Sequence, residues 1–247
     1  MPRRARIVFP SVPHHVVQRG NHRQPVFFER SDYLAYLHLL RECAERHAIE
    51  IAAYCLMTNH VHLIAVPTTA DGLHRALKVI NGRFAQRINR MLGRTGHLWQ
   101  DRFFSSPLDP DHFLNAVRYV ELNPVRARMV SRADAFDWSS AAAHCRMTGN
   151  RLVGARPTST LFGGIEDWSA WLAQGLPLGY LERFRLQASQ NLPCGSEDFI
   201  AQLEHTAGRP LRYRQPGRPA RQQPEDEARE ADFVVVPLWS GNGERPH

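Results

Sequence analysis

Two histidines separated by a single valine, His60 and His62, open the apolar run in TNHVHLIAVP (58–67). This run predicts a β-strand, and residues i and i+2 of a strand point to the same face, so the two imidazoles would lie side by side. Such a pair can hold a divalent metal through two nitrogen atoms and leave open positions for a water or a phosphate oxygen, as catalytic sites need. The alternative is that both histidines occupy the solvent face of a half-exposed strand.

A tyrosine stands apart from the apolar side of the helix predicted for DPDHFLNAVRYVELN (109–123). At 100° per residue, Phe113, Val117 and Val120 form one apolar stripe, and Tyr119 falls outside it. A core tyrosine would sit within the stripe. The hydroxyl of Tyr119 is therefore predicted to reach a group other than the core.

Asn123 lies one turn after Tyr119 on the same helix surface. A free tyrosine has a pKa of about 10, so at neutral pH only about one part in a thousand is the nucleophilic phenolate. A nearby metal that polarises a phosphate would offset this handicap, and Asn123 could supply an amide oxygen as a third ligand. The alternative is a solvent-exposed tyrosine followed by an asparagine that caps the helix before Pro124.

The surrounding pattern predicts the elements that must position these residues. In chain order they are a strand (14–21), a helix (31–48) with Ser31 as N-cap, a hairpin (49–58 and 60–68), a basic amphipathic helix (71–91), a strand (97–109) and the tyrosine helix (109–123). This split βαβ order predicts an α+β fold, a ferredoxin-like antiparallel sheet with packed helices.

Three regions are expected along the chain. Residues 1–145 would form the main domain, and residues 146–208 a helical or irregular extension with a helix at 196–208. Residues 209–247 are rich in Arg, Pro and Glu and are predicted to be a flexible tail. The segment RPLRYRQPGRPAR (209–221) contains five arginines, which predicts a contribution to DNA affinity through phosphate contacts.

The charge favours a polyanionic partner. The 247 residues carry 31 Lys+Arg against 24 Asp+Glu, a formal net charge of +7, and Lys78 is the only lysine. A guanidinium suits phosphate and base edges better than a point charge does, so nucleic acid is the expected partner. A GC-rich coding bias would explain the ratio of arginine to lysine, but not the excess of basic over acidic residues.

Other compositional features set limits on the protein class. No run of about 18 apolar residues predicts a membrane span, and the basic N-terminus lacks the apolar stretch of a signal peptide, so a cytoplasmic location is expected. Cys43, Cys55, Cys145 and Cys194 form no C-x-x-C pair and are expected to be buried thiols.

Several ordered motifs carry a family resemblance. The segments MTNHVHLIAVP, GHLWQDRF and RYVELNPVRARMV, with the opening MPRRARIVFPSVPHHVVQRGNHRQPVFFE, resemble the IS200/IS605-like single-tyrosine transposases, most closely their REP-associated tyrosine transposase branch. The resemblance covers roughly residues 1 to 145. Thr58 departs from it, because relatives often have proline there.

The resemblance implies a site and a mechanism. His60 and His62 match the HUH metal pair, Tyr119 the nucleophile, and Asn123 the position of a polar third ligand. Mg²⁺ or Mn²⁺ would orient the scissile phosphate of single-stranded, hairpin-forming DNA while the tyrosine attacks. A 5′-phosphotyrosine and a free 3′-OH would result. Relatives include dimers that exchange the tyrosine helix, so both a monomer and a homodimer are open.

Seven arginines are predicted to contact DNA. They are Arg19, Arg23, Arg83, Arg87, Arg102, Arg126 and Arg128. Bases of a single strand can stack on aromatic side chains while arginines follow the phosphates. For Trp99, Phe103 and Phe104, core packing is favoured over base stacking.

Three other interpretations remain open at this point. One is a replication initiator or relaxase with the same histidine pair, and another is a DNA-binding regulator that recognises structured repeats without cutting them. A third concerns the metal: a zinc site would use Cys55 together with His60 and His62, but Mg²⁺ or Mn²⁺ is predicted instead, because the hairpin leaves the direction of Cys55 undetermined.

Overall fold

A computed structural model describes residues 7–146, 152, 162 and 164–212. Met1–Tyr213 belong to one compact unit. The second unit, Arg214–His247, lies outside the described residues, as does most of the arginine-rich tail segment.

The described chain contains four strands and eight α-helices. They are β1 (His14–Arg19), α1 (Arg30–Arg46), β2 (Ile49–Met57), β3 (His60–Pro67), α2 (Gly72–Met91), β4 (Phe104–Pro107), α3 (Pro110–Glu121), α4 (Asn123–Arg126), α5 (Ala141–Cys145), α6 (Trp168–Ala173), α7 (Tyr180–Ser189) and α8 (Glu197–Ala207).

The strands form one antiparallel sheet in the order β2-β3-β1-β4. The chain passes through β1, α1, β2, β3, α2, β4 and α3, so the predicted α+β fold with a ferredoxin-like antiparallel sheet and packed helices is confirmed. In the central pair, Arg19 is opposite His60 and Val17 is opposite His62. This register places alternate residues of β1 and β3 on a common face.

Helices cover both faces of the sheet, because both faces are apolar. One face carries Val16, Val61 and Leu63 and packs against α1 and α2. The other face carries Cys55 and Ile64 and packs against α3 and the helices that follow it. The sheet is therefore the middle layer, and the histidines of β3 face the layer that contains α3.

Several boundaries differ from the prediction. The cap of α1 is Glu29 rather than Ser31, because Glu29 and Asp32 form a reciprocal capping box. The predicted strand 97–109 is reduced to Phe104–Pro107. Residues 97–103 make only an isolated bridge between Trp99 and Gly20, and this irregular stretch lines cavities instead.

The C-terminal extension is more regular than the sequence suggested. Helix α8 is confirmed, with Ser196 as its N-cap and Gly208 in the left-handed conformation as its C-cap. Helices α6 and α7 were not predicted. The expected boundary near residue 145 falls inside the compact unit, because α7 packs against β4.

A buried carboxylate ties the tyrosine helix to the extension. Glu121, at the end of α3, has no exposed surface and accepts hydrogen bonds from Ser140 Oγ (2.5 Å), His144 Nδ1 (2.6 Å) and Trp168 Nε1 (2.7 Å). A buried charge is tolerated when it is fully hydrogen-bonded in this way. The network fixes the C-terminal end of α3 and thus the position of the residues just before it.

Two compositional expectations can be compared with the structure. Cys43, Cys55 and Cys194 are buried, and Cys145 is partly exposed. Among the described helices, none combines the length and the apolar character that crossing a bilayer requires.

Candidate active site

A cavity of about 680 Å³ lies on the face of the sheet that carries the β3 histidines. It brings together the four residues predicted to do the chemistry, which are His60, His62, Tyr119 and Asn123. Strand β3 supplies the histidines, α3 the tyrosine and α4 the asparagine.

The two imidazoles share one face of β3, as the spacing predicted. Their ring centroids are 4.8 Å apart with the planes nearly perpendicular. His62 is 4% exposed and His60 is partly buried, so the alternative of a solvent-facing pair is wrong. The reason is that α3 and α7 cover this side of the sheet.

Each histidine has one ring nitrogen held by a neighbour. His60 Nδ1 lies 2.6 Å from Asn59 Oδ1, and Asn59 Nδ2 donates to the carbonyl of Arg23 at 2.9 Å. Because the amide nitrogen is committed to Arg23, its oxygen faces His60, and Nδ1 of His60 must be the donor. Nε2 of His60 is then the unprotonated nitrogen of a neutral ring.

His62 is held by a third histidine. His62 Nδ1 lies 2.9 Å from Nε2 of His15, which is 2% exposed. Either ring can donate in this pair. When His62 Nδ1 donates, its Nε2 is left unprotonated like that of His60, and a hydrogen-bonding partner of this kind is what orients a metal-binding imidazole.

Burial keeps all three rings neutral. It lowers the pKa of His15 to about 3. Burial, with a contribution from the Arg19 guanidinium, lowers the pKa of His60 to about 4. Burial, followed by the neighbouring His60 and His15, holds the pKa of His62 well below its usual value. Neutral imidazole is the form that binds metals, so the pair is ready for a ligand at neutral pH.

Tyr119 is buried rather than free of the core. The predicted stripe on α3 is confirmed, but the Tyr119 ring is only 6% exposed. It packs edge-on against His15 (ring centroids 5.7 Å apart), His62 (5.6 Å) and Phe184 of α7 (4.9 Å). The alternative of a solvent-exposed tyrosine is also wrong, because α7 covers the side of α3 that the sequence left open.

The guanidinium of Arg126 lies over the Tyr119 ring, 4.3 Å from its centroid, and donates to the Tyr119 carbonyl at 2.7 Å. Its Nε and Nη1 are buried and have no acceptor among the described residues. Burial lowers the pKa of Arg126, an effect opposed by the Tyr119 hydroxyl. Arg126 therefore presents unsatisfied donors beside the tyrosine, where an anionic ligand would satisfy them.

Asn123 begins α4 and does not cap α3. It is 9% exposed, and its Nδ2 is buried with no partner among the described residues. Its amide nitrogen is therefore not committed to a hydrogen bond within the described part of the chain. With Nε2 of His60 and of His62, it gives two neutral nitrogens and an amide group, a donor set that suits a divalent cation with open positions.

A zinc site that includes Cys55 is not formed. Cys55 is fully buried and its sulfur lies 3.6 Å from Met57 Sδ. Within the described part of the chain, no three His, Cys, Asp or Glu side chains are placed to hold a metal together. The third ligand to the two histidines would have to be an amide, an added ligand or water.

Apart from Arg126, described above, and Arg128, the predicted arginines divide into two groups. Arg19, Arg23 and Arg102 line the cavity. Arg83 and Arg87 lie on α2 and pair with Glu42 (3.5 Å) and Asp32 (3.4 Å) of α1, so the structure does not bring them to the site.

Arg128 lies at a left-handed turn after α4, and its side chain is exposed outside the cavity lining. Its DNA contact stays a prediction. Among the aromatics, Phe103 is buried in the core as favoured, Trp99 packs partly against the same core, and Phe104 lines the active-site cavity.

Some site residues were missed by the sequence analysis. His15 lies on the face of β1 that also carries the predicted Arg19 and meets the β3 histidines, and this period of two is visible in HHVVQR. Asn59 was taken only as a turn residue. Phe184 and Arg185 lie on the unpredicted α7, although its buried residues recur every four positions.

The site lies within a segment that matches a known family. Residues 9–123 match the family model described as "Transposase IS200 like". The segment contains both histidines, the tyrosine and the asparagine.

Two solved structures are similar to the chain. A REP-associated tyrosine transposase bound to a REP hairpin superimposes with a TM-score of 0.51 at 18% identity, covering 64% of this chain and 94% of that one. A transposase candidate from Deinococcus radiodurans R1 gives a TM-score of 0.33 at 17% identity over 52% of this chain and 92% of that one. The first supports the fold. A search of the curated proteins found no match.

Proposed function

We propose that the protein is a metal-dependent enzyme that nicks single-stranded DNA beside hairpin-forming repeats and transfers the cut strand, with Tyr119 as nucleophile. The observation that carries the proposal is the position of Tyr119. Its ring is edge-on to His62, whose Nδ1 is held by His15, in a cavity lined with arginines. Rigid elements on all sides hold the tyrosine in one orientation, as nucleophilic catalysis requires.

The reaction exchanges one phosphate ester for another. Tyr119 Oη attacks the phosphorus, the bond from phosphorus to the 3′ oxygen breaks, and the phenolic proton ends on that oxygen. The products are a 5′-phosphotyrosine and a free 3′-OH. Attack by the 3′-OH of a second strand reverses the step, so joining needs no other energy source.

Arg126 is suited to hold the scissile phosphate. Its unsatisfied Nε and Nη1 lie in a buried environment, where a charge-assisted hydrogen bond to phosphate is stronger than in water. Arg185 of α7 lines the active-site cavity and forms no salt bridge with another described residue. Both guanidiniums would counter the charge that the phosphate develops in the transition state.

His60, His62 and Asn123 would hold the metal, which we propose to be Mg²⁺ or Mn²⁺. When bound, such an ion supplies Lewis-acid polarisation of the phosphate. The residues of this chain contribute the orientation: Asn59 and His15 fix the rings, and burial keeps them neutral.

The substrate we propose is a palindromic hairpin of the REP type with an unpaired flank. The excess of basic residues and the cavity arginines support a nucleic-acid strand. The similar REP-associated transposase is bound to a REP hairpin, which supports the same class of DNA here.

Trapping the covalent adduct tests the proposal. A labelled hairpin oligonucleotide with Mn²⁺ should form an adduct with the protein that Tyr119→Phe abolishes. Tyr180→Phe is the matched control, because Tyr180 is buried nearby and its hydroxyl only donates to the His112 carbonyl at 3.3 Å. An adduct that survives Tyr119→Phe would show that another residue is the nucleophile.

The same assay separates the alternatives. Binding that EDTA leaves unchanged, with no adduct in any divalent metal, would indicate a non-cleaving regulator. Nicking without joining of two hairpin copies would favour the initiator or relaxase reaction.

Oligomeric state is tested separately. We propose that a monomer is active, because both histidines, Tyr119 and the covering α7 come from one chain. Light scattering should give a monomer mass, with specific activity independent of protein concentration.

A further inference from the structure

A second cavity, of about 590 Å³, adjoins the active-site cavity. It lies between α2 and residues 96–103. The two cavities share Gln18, Gln100, Asp101 and Arg102 as a common wall. A strand whose scissile phosphate lies in the first cavity can therefore place a neighbouring nucleotide in the second, which we call the flanking-base cavity.

The floor of the flanking-base cavity is apolar and rigid. Leu77, Leu98 and Phe103 are buried core residues that also line it. Trp99 lines it as well, and its Nε1 donates to the carbonyl of Asn81 at 3.0 Å while its ring packs on Phe84. A fixed aromatic and aliphatic surface of this kind suits the flat face of a nucleobase.

The amides of Asn81 and Gln18 also line this cavity, and hydrogen bonds hold them in a fixed orientation. Asn81 Nδ2 donates to Gln18 Oε1 at 3.1 Å, and Gln18 Nε2 donates to the Asp101 carbonyl at 3.0 Å. These bonds leave Asn81 Oδ1 buried with no partner among the described residues. An unpaired buried acceptor is unfavourable unless a ligand supplies a donor, and an N–H on the edge of a base is such a donor.

The opening of the cavity is cationic. Lys78, the only lysine of the chain, and Arg102 are exposed there, and neither forms a salt bridge with another described residue. His74 and His97 are exposed at the same opening. Positive charge around an apolar slot matches a nucleotide, whose base is flat and apolar on its faces and whose phosphate is anionic.

We propose that the flanking-base cavity binds one unpaired nucleotide of the DNA strand beside the cleavage position and reads its base through Asn81 Oδ1. The inference rests on the proposed function for the identity of the polymer, and it adds a base-reading site to that function. The choice of cleavage position would then depend on a protein contact as well as on the hairpin.

Gly82 offers a way to fill this cavity without disturbing the core. It is exposed on α2, lines the cavity, and a Cβ built at this position would meet no atom within 4 Å. Gly82→Met would add a long side chain to the lining of the cavity, and a helix tolerates Met better than Gly. Gln86→Met is the matched control, because Gln86 is exposed one turn later on α2 and does not line the cavity.

The probe is a hairpin oligonucleotide with six random unpaired nucleotides beside its foot, bound in EDTA and sequenced from the retained fraction. Wild-type protein and Gln86→Met should enrich particular bases, and discrimination by a good base contact is roughly 5- to 150-fold. Gly82→Met should lose the preference at one position and keep any other. Enrichment by Gly82→Met identical to that of the wild type, or no enrichment by the wild type, would overturn the inference.

The base-enrichment experiment and the adduct assay can fail independently of each other. Adduct formation by wild-type protein with Mn²⁺, together with an unchanged base preference in Gly82→Met, would refute the cavity and leave the proposed function intact. A preference lost in Gly82→Met, with no adduct in any metal, would support the cavity and refute strand transfer.

Discussion

Asn59 links the strand that carries the proposed metal ligands to the loop that carries Arg23, so its replacement should weaken metal binding more than it destabilises the fold. Its Oδ1 accepts from His60 Nδ1 at 2.6 Å, and its Nδ2 donates to the Arg23 carbonyl at 2.9 Å. Asn59→Ala removes both bonds, which frees the His60 ring to rotate and to change tautomer. Loss of a hydrogen-bonding partner behind a metal ligand typically lowers metal affinity by about 10- to 100-fold, or about 1.4 to 2.7 kcal/mol.

Asn59→Asp separates the two bonds. A carboxylate oxygen still accepts from His60 Nδ1, but it cannot donate to the carbonyl of Arg23, whose backbone is in the left-handed region at φ 59°. We therefore expect Asn59→Asp to keep Mn²⁺ affinity near that of the wild type, while the loop at Arg23 loosens. Calorimetric titration with Mn²⁺ measures the first quantity, and hydrogen exchange of the loop amides measures the second.

Two results would refute the role of Asn59 in orienting the His60 ring. Wild-type Mn²⁺ affinity in Asn59→Ala would show that the His60 ring needs no partner. Equal losses in Asn59→Ala and Asn59→Asp would show that the loop, rather than the imidazole, determines binding. Nitrogen chemical shifts of His60 in metal-free protein provide an independent check, because they report the tautomer directly.

Three further outcomes are expected. Burial lowers the folded-state pKa of His14 to about 4 and of His15 to about 3, so the unfolded chain binds more protons than the folded protein below about pH 6.5. The free energy of unfolding should therefore fall from pH 6.5 towards pH 4. A urea midpoint that does not drop between pH 7.5 and pH 5 would contradict this. Arg126→Ala should slow adduct formation by about 10²- to 10³-fold at saturating DNA, as for other groups that stabilise transition-state charge, and an unchanged single-turnover rate would exclude its role at the phosphate. Phe184→Ala should destabilise the protein by about 3 to 5 kcal/mol in urea, and it should also slow adduct formation in the protein that remains folded. Leu186→Ala, on the exposed side of α7, should have neither effect. A wild-type rate of adduct formation in folded Phe184→Ala would show that α7 only covers the core.

Local periodicity was enough to predict the parts of the site that repeat along one element. The alternation in HVH placed His60 and His62 on one face, and the stripe on α3 placed Tyr119 away from Val117. Local patterns could not predict contacts that depend on pairing between distant segments. His15 reaches His62 only because β1 pairs with β3 in a particular register, and that register is set by the whole sheet.

Helix α7 of the C-terminal extension also shows that local patterns do not predict packing between distant segments. Tyr180, Phe184 and Ala188 recur every four residues and are buried, so a helix was recognisable in YLERFRLQAS. What covers Tyr119 could not be predicted, because that depends on where α7 packs. The burial of Tyr119 is therefore a tertiary result, and it contradicts only the alternative of a solvent-exposed tyrosine, since Tyr119 still lines the cavity.

The candidate site combines residues held in place by regular secondary structure with exposed residues on irregular segments. His60 and His62 lie on a central strand, and Tyr119 lies on a helix whose end is fixed by the Glu121 network. Arg23 and Arg102, in contrast, lie on irregular segments and are exposed. Contacts from exposed arginines to phosphate contribute to affinity in proportion to their number and weaken with salt, with a slope of roughly 0.7 per contact on a single strand. Substitutions of these arginines should therefore change binding and its salt dependence, whereas substitutions around the strand and helix should change the rate on bound DNA. Because the two groups of residues lie on different elements, the proposed function predicts that affinity for the DNA repeat can change without a change in the reaction at Tyr119.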